Sequence, residues 1–381
     1  MSISNVSNDQ FDSCAIRVLH ATPQMQREGI QSFLMNLYRN IEREKVQFDF
    51  LVHSKHKGAF DVEIEKMGGR IYRVHHMSSP HFLHYNRDVA QVLKAHPYKI
   101  IHSHINLLSS FTLKVAMKHG VPVRIAHSHS SSILDSGLKR FIKLYSRKQM
   151  PKYVTHCFAC SKDAAIWQFG KDLYDSGKIS LIPNGIDIAK NLFTAEKRQT
   201  IRNKFNIDAN AFVAGHVGGF RKVKNHSFLA KVFTEIKKIK PNSKLLLVGS
   251  GELEEEVRSE LGSLGVFDDV IFAGSVDNVS DYYSAMDAFV FPSVYEGLGI
   301  VLIEAQSSGL PCFVSDTVPN EANLSNHYYP LSLDKSPKEW ASFILDHSPC
   351  KERICSPDVY KYDIKTIANN MQEFYLNVFS S

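Results

Sequence analysis

The chain has 381 residues, 44% hydrophobic and 22% charged, with a formal net charge of +6. That length exceeds one ordinary core and calls for two domains, and the composition excludes a disordered or fibrous chain. No apolar run approaches the roughly 18 residues that cross a bilayer, and the polar start MSISNVSNDQ lacks a signal-peptide core, so a cytoplasmic place is expected.

The first half alternates short apolar runs with helical patterns. Strands are expected at AIRVLHA (15–21), FDFLVH (48–53), GRIYRV (69–74), KIIHSHI (99–105), VPVRIAHSH (121–129) and HCFACS (156–161), with IQSFLMNLYRNI (30–41) as a helix. This is the βαβ rhythm of a parallel sheet covered on both faces. The strand in ISLIPNGIDI (179–188) runs into the turn Pro183-Asn184-Gly185 and ends this half.

The rhythm then restarts. FVAGHVG (212–218), KLLLVGSG (244–251), VIFAG (270–274), AFVFPS (288–293) and PCFVSD (311–316) alternate with helices at 225–239, 252–262, 279–286 and 300–308. We therefore expect an N-terminal domain over 1–185 and a C-terminal domain over 186–362. The last helix, within 363–381, is expected to pack back on the first domain.

Charge divides unevenly between the halves. Positions 1–190 carry 26 Lys+Arg against 15 Asp+Glu, while the remainder carries 19 against 24. The first half also holds 14 of the 18 histidines. It is expected to face something anionic, whether nucleic acid, a membrane surface or a phosphorylated acceptor. No nucleic-acid reader motif accompanies the basic residues, which disfavours the first of these. The stretch SGLKRFIKLYSRKQMPKYV (136–154) interleaves Leu138, Phe141, Ile142, Leu144 and Tyr145 with Lys139, Arg140, Lys143, Arg147, Lys148 and Lys152. A basic amphipathic helix of this kind suits an anionic membrane surface.

The six cysteines are scattered, and the one C-x-x-C pair, Cys157 and Cys160, lies in an apolar strand with no second pair. Buried thiols are expected there and not zinc. The histidine pairs His102/His104 and His127/His129 each alternate along a strand with no carboxylate or thiol beside them, so no metal is expected.

The densest signal is SVYEGLGIVLIEAQSSGLP (293–311), with Glu296 and Glu304 flanking an apolar turn. Glu296 falls just past a strand end. Gly297 and Gly299 let backbone approach a ligand, and a helix starting near Ile300 points free N–H groups at the same place. That suits a diphosphate. Glu304, about one turn in, can accept both hydroxyls of a ribose, and Glu296 can hold a second sugar. Together these residues fit a nucleotide sugar.

This run resembles the E-x7-E motif of family 4 glycosyltransferases. The resemblance extends through GGFRKVKNHSFL (218–229), LLLVGSGELEEEV (245–257), VIFAGSVDNVSDYYSAMDAFVFPS (270–293) and LIPNGID (181–187), and is nearest to the bacterial exopolysaccharide and capsule branch. It implies an α/β GT-B fold, in which two doubly wound Rossmann-like domains have parallel sheets facing a cleft. The N-terminal domain would bind the acceptor and the C-terminal domain the donor. It also implies retaining transfer of a hexose or N-acetylhexosamine without metal or cofactor. The donor would be a UDP-sugar, with GDP-mannose behind it. The acceptor would be a lipid-linked or free glycan at the inner face of the plasma membrane.

By the same resemblance, Lys224 contacts the phosphates and Glu296 the sugar, and His127 (or His129, two residues on) sits by the donor sugar. The remaining donor-binding positions are Gly29, Gly218, Arg221, Ser275, Val276, Gly297, Leu298, Gly299, Ile300, Val301 and Glu304. Gly29 belongs to the glycine turn of the first domain, and Ser275-Val276 would hold uracil. Five positions before Lys224, where the family carries arginine, this chain has Gly219, with Arg221 and Lys222 nearby as substitutes. Apart from the resemblance, Arg27 reads either as plain surface charge or as a phosphate contact. The rival readings are a non-catalytic nucleotide-sugar or glycan sensor and a UDP-sugar 2-epimerase.

Overall fold

Two units divide the chain, Met1–Gly185 with Ile364–Ser381, and Ile186–Asp363. The computed structural model describes residues 15–26, 28–77, 82–129, 137–348 and 352–380. Arg27 therefore lies outside the described residues, as do Cys14 and Cys350 and the side chains of Leu138 and Lys139.

The first unit is built on seven strands, β1 (Ile16–Thr22), β2 (Val46–Val52), β3 (Ile71–Arg73), β4 (Ile100–Ser103), β5 (Val123–Ser128), β6 (His156–Ala159) and β7 (Ile179–Leu181). They pair in the order β3-β2-β1-β4-β5-β6-β7, all parallel. Every residue of β2, VQFDFLV, is buried, as a strand covered on both faces requires.

On one face, Val18, Phe48, Phe50, Ile100 and Ile125 pack under the helices Gly29–Asn40 and Ile364–Ser380. The second of these helices buries Ile364, Ile367, Ala368, Met371, Gln372 and Tyr375, one stripe at helical spacing. It is joined at Glu42, whose N–H donates to Gln372 Oε1 at 2.7 Å while Gln372 Nε2 donates back to the Glu42 carboxylate at 2.7 Å. On the other face, Leu19, Leu51, Ile101 and Ala126 meet Tyr85, Val89, Leu93, Leu113 and Ala116.

The second unit repeats the plan with β8 (Phe212–Val217), β9 (Ser243–Val248), β10 (Val270–Gly274), β11 (Ala288–Phe291), β12 (Cys312–Ser315) and β13 (Tyr328–Leu331), ordered β10-β9-β8-β11-β12-β13. Sequence reading misses β13 and the helix Pro337–His347. β13 carries Pro330, which only an edge strand tolerates. The helix announces itself by a capping box, Ser336 with Glu339, and buries Trp340, whose Nε1 donates to the Ser332 carbonyl at 2.9 Å.

In each sheet the chain leaves the first strand toward one edge and returns to cross to the other. The switch falls between β1 and β4 and again between β8 and β11, and the C-terminal ends of such neighbours leave a crevice for ligands. Among the described residues no helix is long and apolar enough to cross a membrane.

Candidate functional site

In the second unit, two loops at the switch point are packed backbone to backbone. After β8 the chain runs Gly218-Gly219-Phe220, and after β9 it runs Gly249-Ser250-Gly251. A Cβ on Gly249 would lie 2.2 Å from the Gly218 carbonyl oxygen, and one on Gly251 2.6 Å from the Phe220 amide nitrogen. Gly249 also has φ +139°, which glycine alone adopts readily. Side chains are excluded here, and polar backbone lines the strand ends. Gly219 belongs to this packing, since its Cβ would sit 3.3 Å from the Ser250 carbonyl oxygen. Arg221 and Lys222 beside it are exposed.

A single 3-10 turn, Lys222–Lys224, then leads through left-handed Asn225 (φ 55°) into the helix His226–Ile239. The turn aims Lys224 inward. Its Nζ lies 2.6 Å from Glu296 Oε1 and 4.8 Å from the centre of the Phe291 ring. The Val294 N–H donates to the Val223 carbonyl at 2.8 Å, tying the two loops side by side. The Ser293 carbonyl just before the motif accepts from Thr317 Oγ1 at 2.9 Å and from Ser315 Oγ.

Gly299 takes φ +74° and starts the helix Ile300–Ser307. Gly297 has open space around its Cβ direction, whereas Leu298 is buried in the core, so only its backbone faces outward chemistry. Ile300 and Val301 are partly buried against the same core. The closing glycine of the motif, Gly309, has a different purpose. Its Cβ would lie 2.5 Å from the Ile354 amide nitrogen. One turn into the helix, Glu304 accepts a hydrogen bond from Tyr283 Oη at 2.8 Å. Desolvation pushes its carboxyl up to about 7, against the weaker opposing effects of Tyr283 and Lys190. After β10, the Ser275 hydroxyl meets that of Ser250 at 2.8 Å, with Val276 next to it and partly buried.

In the first unit the two histidine pairs do not stand apart. They merge with His20 into one cluster of five rings on the face under helices Gly29–Asn40 and Ile364–Ser380. The strands alternate in and out, so Val18-x-His20, Ile100-x-His102-x-His104 and Ile125-x-His127-x-His129 turn one face from aliphatic to imidazole at its C-terminal end. His129 Nδ1 sits 3.1 Å from Asn184 Oδ1, His104 Nδ1 2.9 Å from His129 Nε2, and His20 Nδ1 3.1 Å from His104 Nε2. With the Asn184 oxygen accepting, each ring carries its proton on Nδ1, and the chain runs in one direction from His20 to Asn184. His102 Nδ1 is 2.7 Å from Tyr375 Oη.

Burial pushes the His20 ring down to about 3 and His129 to about 4, and holds His102, His104 and His127 well below the usual imidazole range. All five are neutral near pH 7. Among the described residues, His20, His102 and His104, and likewise His104, His127 and His129, bring three ring nitrogens within 4.8 Å of one another, the spacing of a metal site. Neither group includes a carboxylate or thiol to offset an ion's charge.

His127 is fully buried, and neither ring nitrogen makes a well-formed hydrogen bond, although the Ile182 carbonyl lies near enough to favour its charged form slightly. His129, two residues on, is partly exposed. Gly29 opens the helix Gly29–Asn40 with no neighbour in its Cβ direction. Cys157 is buried and Cys160 half-buried, and desolvation raises both thiols, to about 12 and about 11.

Sequence reasoning missed His20, Tyr283, Phe291 and Tyr375. His20 carries a signal that escapes notice, because it continues the alternation of VLHA at a strand end. The other three are ordinary core aromatics in sequence, and only the fold brings them to the carboxylate, the lysine and the imidazoles.

Residues 27–190 match the model of Glycosyltransferase Family 4, and residues 197–343 that of Glycosyl transferases group 1. The chain is 35% identical over 342 residues to "Putative glycosyltransferase EpsF" of Bacillus subtilis (strain 168), covering 88% of each. It is 27% identical over 377 residues to "Capsular polysaccharide biosynthesis glycosyltransferase CapH" of Staphylococcus aureus, covering 95% of this chain and 99% of that one. Among solved structures, Anabaena Alr3699/HepE in complex with UDP and glucose superposes with TM-score 0.74 at 18% identity, over 94% of this chain and 99% of that one. The chain belongs to the family 4 glycosyltransferases and has their GT-B α/β fold. It is a glycosyltransferase of the exopolysaccharide or capsule type.

Proposed function

We propose that the protein transfers a hexose or N-acetylhexosamine from a UDP-sugar to a lipid-linked glycan, with retention at the anomeric carbon and without a metal ion. The observation that carries this reading is the Lys224–Glu296 ion pair beside the glycine-rich start of the helix Ile300–Ser307. A cation, free helix N–H groups and a carboxylate thus converge where a diphosphate joined to a sugar would lie.

In this reading the second unit, Ile186–Asp363, binds the donor. Glu304 accepts the ribose hydroxyls, and backbone at Ser275-Val276 meets the uracil. Lys224, Arg221 and the amides of Gly299, Ile300 and Val301 take the diphosphate, with Gly218, Gly297 and Leu298 contributing backbone. Glu296 holds sugar hydroxyls. The crystallisation of HepE with UDP and glucose supports a uridine donor.

The first unit binds the acceptor. There Gly29 lets backbone approach the phosphate. His129, partly exposed where His127 is fully covered, is the better placed ring for the donor sugar, and it does so neutral. The bond from C1 of the sugar to the β-phosphate oxygen breaks and a bond to the acceptor oxygen forms. The acceptor's proton passes to the departing phosphate, so no protein base is required. Fixed cations and dipoles take the charge that a metal takes elsewhere. The basic helix Gly137–Gln149 suits attachment to the cytoplasmic membrane face.

The test is nucleotide release from a panel of UDP- and GDP-sugars by the purified protein. Release of UDP, stimulated by a polyprenyl-diphosphate glycan, supports transfer. Tight UDP-sugar binding with no turnover on any acceptor would overturn it in favour of a sensor.

A further inference from the structure

Away from the strand ends that carry His129 and Gly29, the first unit has a second concavity. It opens at the N-terminal ends of β6 and β7, beside Thr155 and Lys178, and measures about 620 Å³. The helix Gly137–Gln149 delivers its last turn to one wall, and the helices Lys162–Phe169 and Lys171–Asp175 form another.

Three kinds of group meet there. The floor is apolar, made by Met150, Val154, Cys157, Phe169 and Leu173. The rim is cationic, with Arg147, Lys148 and Lys178, and no acidic residue lines the pocket. Between floor and rim sits Gln168. Its side chain is 1% exposed, and neither its amide oxygen nor its amide nitrogen has a partner among the described residues. A buried amide left unpaired is costly, and here it faces a cavity with room for a polar partner. The surface leading to the pocket has the same character. Phe141, Leu144 and Tyr145 of the helix Gly137–Gln149 are 68%, 40% and 51% exposed, between Arg140, Lys143 and Lys148.

An apolar floor asks for hydrocarbon, three cations ask for an anion, and a lone amide asks for an oxygen between them. A nucleotide or a free sugar supplies no hydrocarbon, and a fatty chain alone supplies no anion. We propose that this pocket binds one molecule of an anionic glycerophospholipid. An acyl chain lies on Met150, Phe169 and Leu173, the Gln168 amide donates to an ester or head-group oxygen, and the phosphate sits among Arg147, Lys148 and Lys178. The site is distinct from the acceptor end of the sheet and does not rest on the transferase reading. It adds selection of a particular lipid to the diffuse attraction that a basic helix has for any anionic surface.

The test uses the full chain and monomeric dihexanoyl-phosphatidylglycerol below its micelle concentration, followed by calorimetry. Saturable one-to-one binding is expected. Dihexanoyl-phosphatidylcholine should bind about tenfold more weakly, since its choline cation is repelled by the cationic rim that its phosphate attracts. Inorganic phosphate and an acidic peptide should not compete. Lys148→Gln with Lys178→Gln should weaken binding about tenfold, and Leu173→Trp, which fills the floor, should abolish it. Arg140→Gln with Lys143→Gln, on the outer face, should leave it unchanged. Circular dichroism and cooperative thermal unfolding report that each variant is folded, and Gln168→Leu replaces Leu173→Trp if the latter is not. The proposal is overturned by absence of saturable binding, by competition from phosphate or the peptide alone, or by equal binding in all pocket variants.

Discussion

Lys224 Nζ and Glu296 Oε1 lie 2.6 Å apart, with the two side chains only 17% and 12% exposed. The pair holds the lysine ready and also restrains it, because a diphosphate must share the cation with Glu296. Lys224→Gln should weaken UDP by about 1.5–3 kcal/mol, the worth of a charge-assisted contact, and leave uridine binding unchanged. Glu296→Gln should behave in the opposite way. It frees Lys224, so UDP affinity holds or rises while sugar transfer falls by about 100-fold or more. Calorimetry with UDP and uridine, beside turnover, checks both. Equal loss of UDP and uridine in Lys224→Gln would contradict the phosphate role.

Glu304 couples ligand binding to stability. Its carboxyl titrates at about 7 in the folded chain, against 4.5 for the ordinary group. The folded protein therefore holds a proton that the unfolded chain releases, and stability falls as pH rises from about 4.5 to about 7. Glu304→Gln should raise the Tm at about pH 8, with the gain shrinking toward pH 4.5. If the ionised Glu304 accepts the ribose hydroxyls, as proposed, wild-type UDP affinity should rise through the same interval. The variant should bind UDP about 1.5–3 kcal/mol more weakly and without that pH dependence. A flat wild-type profile would rule the assignment out.

His129 is neutral throughout the physiological range because burial holds it near 4. If the ring acts on the sugar and not on the nucleotide, as proposed, His129→Asn should lower turnover by about 100-fold with little change in UDP affinity. The pH profile of wild-type turnover between about 5 and 8 should show no step from this ring. A matching step that disappears in the variant would show instead a titrating base.

Turnover should survive excess EDTA. In the proposed reading Lys224, Arg221 and the start of the helix Ile300–Ser307 neutralise the diphosphate in place of a metal ion. Loss of activity on chelation, restored by Mg²⁺ or Mn²⁺, would mean that the diphosphate is neutralised differently.

Replacing Lys139, Arg140, Lys143 and Arg147 by glutamine should release the protein from anionic vesicles, since each cation near such a surface contributes on the order of 1 kcal/mol that salt screens. UDP binding should persist, because the residues proposed to hold the nucleotide belong to Ile186–Asp363. A variant that still sediments with vesicles at low salt would reduce the helix to scaffold.

What could be read in the sequence was what depends on neighbours along the chain. The parallel strands with their alternating His102/His104 and His127/His129, and the Glu296-to-Glu304 segment with Gly299 at its helix start, follow from period and spacing. The Ser336–Glu339 capping box was equally local and went unread. What escaped depends on approach between distant segments. Nothing within Tyr283 marks it as the partner of Glu304, and nothing near Gly219 announces the Ser250 carbonyl against it. His127 and His129 share a strand face, and only the covering helices decide which one is sealed.

The helix Ile364–Ser380 lies at the far end of the chain, yet it closes the core begun by Ile16 to Leu181. Until it emerges, Phe48, Phe50 and the imidazole face have only the helix Gly29–Asn40 over them. A ribosome adding 5–20 residues per second needs about 10–40 s to cross the intervening unit. Throughout that interval the nascent first unit lacks the apolar stripe of its last helix and leaves part of this face uncovered. A chimera that exchanges the second unit must therefore replace an internal cassette, Ile186–Asp363, and keep both ends of the host.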